Sequence, residues 1–318
     1  MIKTETAAIQ IVVNEVAAAL EARRIELPAL PDMVVRVRRA LDNPNASLEQ
    51  LVHVVSSDPV VAVHVIKAAN SGAFHGSEKV DNLRAAISRI GYRMLYGIVT
   101  NVALTKLLRA AKPLIGRQLR RTWQHSCEVA ANCYVLAERE NGLRPEVAML
   151  AGLVFRIGAL PLCLHADRLI VGLDQETLDE LVSSHAAAIS ATVLRQWDFP
   201  DDVVRIVEGY ANPECPAEPG SAAYIDVLAL SEHQARRGGD KESWRNLHSA
   251  ERLGFYPGDC RSFFSSKADR VAEMESVLGL KGRHPVRQRK DSPLAIAAPE
   301  VPRSAGGLLH SLRRMFGS

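Results

Sequence analysis

The chain has 318 residues, 47% of them hydrophobic, enough to bury a sizeable core without a metal or disulfide staple. Its net charge of +3 is uneven: residues 281–318 hold eight Lys/Arg against two Asp/Glu, and taking that surplus of six from +3 leaves the first 280 residues at −3. A mildly acidic body disfavours direct nucleic-acid binding.

The five cysteines (Cys127, Cys133, Cys163, Cys215 and Cys260) are odd in number and never spaced as CxxC, which fits neither a disulfide framework nor a zinc ribbon. They predict reduced, mostly core thiols and a cytoplasmic setting. The N-terminus carries acidic residues inside its apolar run, and no window reaches about 18 uncharged apolar residues, so neither a signal peptide nor a transmembrane segment is expected.

Residues 7–22 set Val12, Val13, Val16, Ala19 and Leu20 at helical spacing, and the two prolines of IELPALPD stop that helix in a rigid elbow. Met33, Val34, Val37 and Leu41 form the next stripe, closed by the turn Asp42-Asn43-Pro44-Asn45. Ser47 and Gln50 have capping-box spacing and open a helix that buries Leu48, Leu51, Val52 and Val55. Asp58-Pro59 opens another, with Val61, Val65, Ala68 and Ala69 inward.

A loop with two glycines runs from Asn70 to Gly76, and Leu83, Ala86, Ile87 and Ile90 then form a helix that Gly91 caps or bends. Residues 92–110 continue helically. Pro113 and Gly116 mark a joint, after which the spacing predicts helices over 117–140, 145–155, 157–165, 175–182, 185–196, 200–210, 224–237 and 267–280. No strand-like alternation of useful length appears. Residues 283–304 have the composition of a disordered linker.

The run LPALPDMVVRVRRALDNPNASLEQLVHVVSSDPVVAVHVIKAANSGAFHG, followed by NLRAAISRIGYRMLYGIV, closely resembles the HDOD family, the HD-related output domains of bacterial signalling. LPxLP, the DNPxxSL turn and capping box, the SDP helix start, the KxANS segment with its aromatic-glycine loop and the AIxRIG helix carry the resemblance, which spans roughly residues 25–235. It implies an all-α fold of two packed helical bundles, the second a degenerate, HD-GYP-like relative of the HD phosphohydrolases. The expected divisions are an N-terminal helix (1–24), an N-terminal bundle (25–115), an HD-like bundle (116–280) and a basic tail (281–318).

The resemblance also fixes where a metal site would stand. HD enzymes hold divalent metal with a His on one helix, an adjacent His-Asp pair two helices later and a further Asp. His125, in WQHSCEVA, matches the first position, but the pair is replaced by Phe155-Arg156. Phenylalanine cannot ligate and arginine brings a fixed positive charge, so neither bound metal nor catalysis is expected. No Asp stands near Ser231, where the last ligand belongs; Asp226 lies five residues earlier, on a different face. His185 is a second candidate remnant, while paired histidines are replaced by Glu208-Gly209-Tyr210.

Three readings follow. The leading one is a non-catalytic regulatory protein that contacts a protein partner, in a cyclic-di-GMP, motility or stress-response circuit as the family implies. The others are a divergent phosphohydrolase using His125 and His185, and a nucleotide receptor using Arg156 as a phosphate contact. Asn70, Ser71, Phe74 and Gly76 form a candidate interaction loop, or only a tight turn. Trp123 and Trp197 line a ligand pocket or simply fill core. Leu308, Leu309, Leu312, Met315 and Phe316, with His310, Arg313 and Arg314 opposite, form a short basic amphipathic helix suited to a partner groove or weak contact with an anionic membrane, or else a frayed tail.

Overall fold

A computed structural model describes residues 2–22, 24–25, 27–43, 47–74, 78–107, 112–212, 220–237, 248–256 and 259–280. Within them the fold is all-α, with no strand. The tail at 281–318, with its expected linker and its helix of Leu308, Leu309, Leu312, Arg313, Arg314 and Phe316, lies outside the described residues, as do Gly76 and Cys215.

The first bundle is built from locally signalled helices. After α1 (Ile2–Glu21) comes α2 (Asp32–Asp42), and then α3 (Leu48–Ser56), whose capping box forms as the sequence predicts: Gln50 N donates to Ser47 Oγ, and Ser47 N donates back to Gln50 Oε1, each at 3.2 Å. At α4 (Pro59–Ala69), Asp58 Oδ1 accepts from Val60 N at 2.9 Å and Val61 N at 3.3 Å. Its other oxygen takes Lys106 Nζ at 2.6 Å, which with the helix N-terminus holds the carboxyl below the usual range. A 3-10 turn (Gly72–Phe74) leads to α5 (Leu83–Ile90), capped by Asn82 Oδ1 on Ala85 N, and to α6 (Tyr92–Leu107), a helix buried along most of its length.

The second bundle is centred on α7 (Pro113–Ala137), which starts at Pro113 and runs through Gly116 without a break. Around it stand α8 (Pro145–Val154), α9 (Ala159–Leu169), α10 (Gln175–Gln196), α11 (Asp201–Ala211) and α12 (Ala222–Arg237), followed by α13 (His248–Arg252), α14 (Asp259–Ser266) and α15 (Ala268–Val277). The two helices expected over 175–182 and 185–196 are one. Ser183 and Ser184 do not break it, because they lie on its outer side and Ser183 Oγ returns a bond to Glu180 O at 3.1 Å.

Met1–Gly282 forms one compact unit with a continuous apolar core, so the two bundles share their packing. The proline elbow and the helices on either side of it are fastened to the end of α10. Trp197 Nε1 donates to Pro28 O at 3.2 Å, Gln196 Nε2 to Leu20 O at 2.6 Å, and Arg38 pairs with Asp198 at 3.0 Å, pinning the elbow on the end of α10. Trp197 is therefore a structural donor at the seam. The stretch Pro145–Leu169 is long and apolar enough to cross a membrane by composition, but its most apolar window is 89% buried as the core around α8 and α9.

Candidate functional site

The site begins with a close approach. A Cβ on Gly152 would stand 2.8 Å from Ala130 Cα and 3.0 Å from Ala130 N, so only glycine lets α8 lie directly on the α7 backbone. Immediately after α8, the turn of Phe155, Arg156, Ile157 and Gly158 is tied to α10 by Gly158 N donating to Ser190 Oγ at 3.0 Å. Phe155 and Arg156 are thereby presented towards His125 on α7.

Phe155 is fully buried. Its ring lies 6.3 Å from that of His125 and edge-on to that of Tyr210 on α11, at 5.5 Å. A side chain that fills the centre of the site in this way offers no lone pair to anything there.

Arg156 turns to α12. Its Nη2 donates to Glu232 Oε1 at 3.1 Å, and the guanidinium carbon stands 5.4 Å from the Phe155 ring centre. The same Glu232 oxygen takes Arg236 Nε from one turn along α12, and His125 Nε2 lies 3.8 Å from it. One carboxylate, 7% exposed, therefore serves two permanent cations, with an imidazole nearby. His125 Nε2 and Arg156 Nε are buried without a hydrogen-bond partner of their own. Burial, and after it the Glu232 charge, pushes the Tyr210 phenol well above its ordinary value, while Arg156 pulls it back.

Glu232 is the residue that sequence reasoning missed. The expected place was near Ser231, and the acidic side chain is there, one position on and one methylene longer than the Asp sought. Its spacing to Arg236, four residues along the same helix, was the available signal. Asp226 points elsewhere, bonded by both oxygens to Arg252 at 2.8 and 2.5 Å. Among the described residues no hydrogen bond, ion pair or ring contact joins His185 to this group, and burial lowers its imidazole pKa.

These residues do not fit a divalent metal. Phe155 supplies no ligand, and the Glu232 oxygen nearest His125 is occupied by guanidinium groups that would repel a cation. Among the described residues no three His, Cys, Asp or Glu side chains are grouped to hold a metal. Beside Arg156 lies a half-open cleft lined by Trp123, Thr122, Ser126 and Leu160, whose inner part, about 10 Å³, has the room of a single water. The nearby thiol of Cys133 is pushed up to about 12 by burial, and that of Cys163 likewise, so neither is a nucleophile at neutral pH.

The candidate loop is largely satisfied internally. Asn70 Nδ2 donates to Ile66 O at 3.0 Å and Val80 O at 2.7 Å, and Asn70 Oδ1 accepts from Val80 N at 2.8 Å, so one amide closes the whole loop. Ser71 Oγ caps Ala68 O at 2.7 Å, and Phe74 packs partly buried against the core.

Comparison with known proteins agrees with this architecture. The HDOD domain family model matches residues 27–213. A protein from Shewanella amazonensis SB2B, named as a candidate metal-dependent phosphohydrolase, shares the fold at a TM-score of 0.72 and 24% identity, over 86% of this chain and 99% of that one. An HDOD domain protein of unknown function from Geobacter sulfurreducens aligns at a TM-score of 0.60 and 17% identity, over 87% and 98%. An uncharacterized protein of Treponema pallidum (strain Nichols) is 21% identical over 223 residues, covering 66% of this chain but only 42% of that relative's length.

Proposed function

Because the chain belongs to the HDOD family, we propose that it is a non-catalytic regulatory protein of bacterial signalling that works by contacting a protein partner. The observation that carries this reading is the guanidinium of Arg156 on Glu232, beside a fully buried Phe155, in the position where the HD enzymes hold metal. A fixed organic cation satisfies the acidic residue that a catalytic metal would need, and it cannot activate a water. The same pairing weighs against a nucleotide receptor, since Arg156 is already committed to a carboxylate. A cyclic-di-GMP, motility or stress-response circuit is the setting the family suggests.

The test has two arms. Purified protein is analysed for bound metal and assayed for phosphodiesterase activity with manganese, iron and magnesium; the expectation is no stoichiometric metal and no turnover. Stoichiometric metal with turnover abolished by His125→Ala would overturn the proposal. In parallel, affinity capture followed by reciprocal capture of the identified protein should yield a specific partner, and calorimetry with cyclic dinucleotides should give no heat.

A further inference from the structure

Helix α15 lies outside the residues matched by the family model, yet it rests on the loop that carries part of the family signature. It packs against α7, α4 and the turn Gly72–Phe74, burying Met274 and Val277 with Leu278 just beyond its end. Ten residues make a marginal helix in water, so the groove rather than intrinsic propensity holds it in shape.

Two polar anchors fix it, and both act on main-chain carbonyls. Arg270 Nη1 donates to Ala73 O at 2.7 Å, while its other nitrogens meet Glu138, at the end of α7, at 2.5 and 3.2 Å. At the far end, Asn101 Nδ2 of α6, buried in the core, donates to Leu278 O at 2.9 Å. Gly72 completes the fit: a Cβ there would overlap the Glu273 carboxylate. The groove therefore reads a helix by a terminal carbonyl, one arginine and a short apolar stripe, features that many sequences could present.

We propose that the groove formed by α4, Gly72–Phe74, α6 and α7 is a helix-docking site, filled in the resting chain by α15 and opened when a partner displaces it. The partner is an amphipathic helix with an arginine four residues before its first apolar anchor, the spacing of Arg270 and Met274, so that the guanidinium reaches Glu138 while the anchors replace Met274, Val277 and Leu278. The proposal rests on the reading of the chain as a protein-contact module and names the surface it would use.

The probe is a fluorescein-labelled peptide with the sequence of residues 266–280, added to the full chain and followed by anisotropy. Wild-type protein, its groove occupied, should bind weakly. The variant Arg270→Ala/Met274→Asp, which loosens α15 but leaves the groove intact, should bind saturably and at least tenfold more tightly. Adding Glu138→Ala to that variant should weaken binding several-fold. Hydrogen exchange of the loosened variant should rise across 268–280, 70–74 and the last turns of α7, and stay unchanged in α8 to α11.

Global unfolding of the loosened variant would make α15 an integral core element and overturn the proposal. So would a folded variant that ignores the peptide. Neither result bears on catalysis, whereas metal-dependent turnover would remove the functional reading and leave the groove standing.

Discussion

Arg156 and Arg270 each join parts of the chain far apart in sequence, but in different surroundings. The Arg156 side chain is 11% exposed and meets a carboxylate that is also shared with Arg236. That of Arg270 is 24% exposed and spreads its donors over Glu138, Glu273 and the Ala73 carbonyl, with Tyr134 beneath it. The first is an over-supplied charge cluster with orphaned donors; the second is a latch between helices. Buried ion pairs cost desolvation that often cancels their attraction, so the first cluster is a source of fragility if any member is lost unequally. The latch, closer to water, contributes less to global stability and more to where α15 lies.

The sharpest way to break this contrast is Glu232→Ala. It leaves Arg156 buried with no counter-charge, and the expected loss is about 3–5 kcal/mol in urea denaturation. Arg270→Ala in the same assay should cost far less, because the two carboxylates it leaves behind, Glu138 and Glu273, are partly exposed to solvent. Equal losses would mean that the Glu232 cluster is hydrated and that the two sites do not differ in kind.

Asn70→Ala comes next. It removes three bonds at once and strands both main-chain groups of Val80, with an expected loss of about 1–3 kcal/mol. Asn70→Asp should recover part of this, because a carboxylate still accepts from Val80 N but faces Val80 O without a donor. If both variants kept wild-type stability, the loop would not be closed by this amide and would be free for partner contact.

How much of this was legible depended on range. The caps at Ser47 and Asp58 are signals a few residues long, and the helices they open follow from them; α5 followed from its apolar stripe alone, with its Asn82 cap unread. The short helices α13 and α14 went unread, because five and eight residues give too few turns for a stripe such as Cys260, Phe263 and Phe264 to stand out. Phe155 and Arg156 could be placed because the HDOD pattern supplies a register, and the structure does bring them beside His125. Glu232 shows locally only its spacing to Arg236, which reads as an ordinary surface pair; the arginine that gives it its place in the site lies 76 positions away, beyond any local pattern. Asn70 looked like a turn residue; its partner Val80 lies ten positions on, beyond any turn motif.

A smaller effect is expected for Arg156→Met. The long apolar side chain keeps most of the volume, and Glu232 retains Arg236, so stability should change by less than about 1 kcal/mol. Together with the Glu232→Ala result this separates the charge from the packing: a large loss here would mean that Glu232 depends on Arg156 alone. Metal analysis of the variant should still find no stoichiometric cation, since Phe155 remains.

The smallest effect is a pH dependence. Burial lowers the His185 pKa in the folded chain, so between that lowered value and the ordinary value near 6.5 the unfolded chain binds more protons. Stability from this residue is present above pH 6.5 and is lost as pH falls through that window. The melting temperature of wild-type protein should therefore drop between pH 7 and pH 5 by more than that of His185→Gln, which cannot take up the proton. Parallel curves would show that His185 is hydrated. That would remove the last histidine argument for a surviving polar pocket away from Glu232.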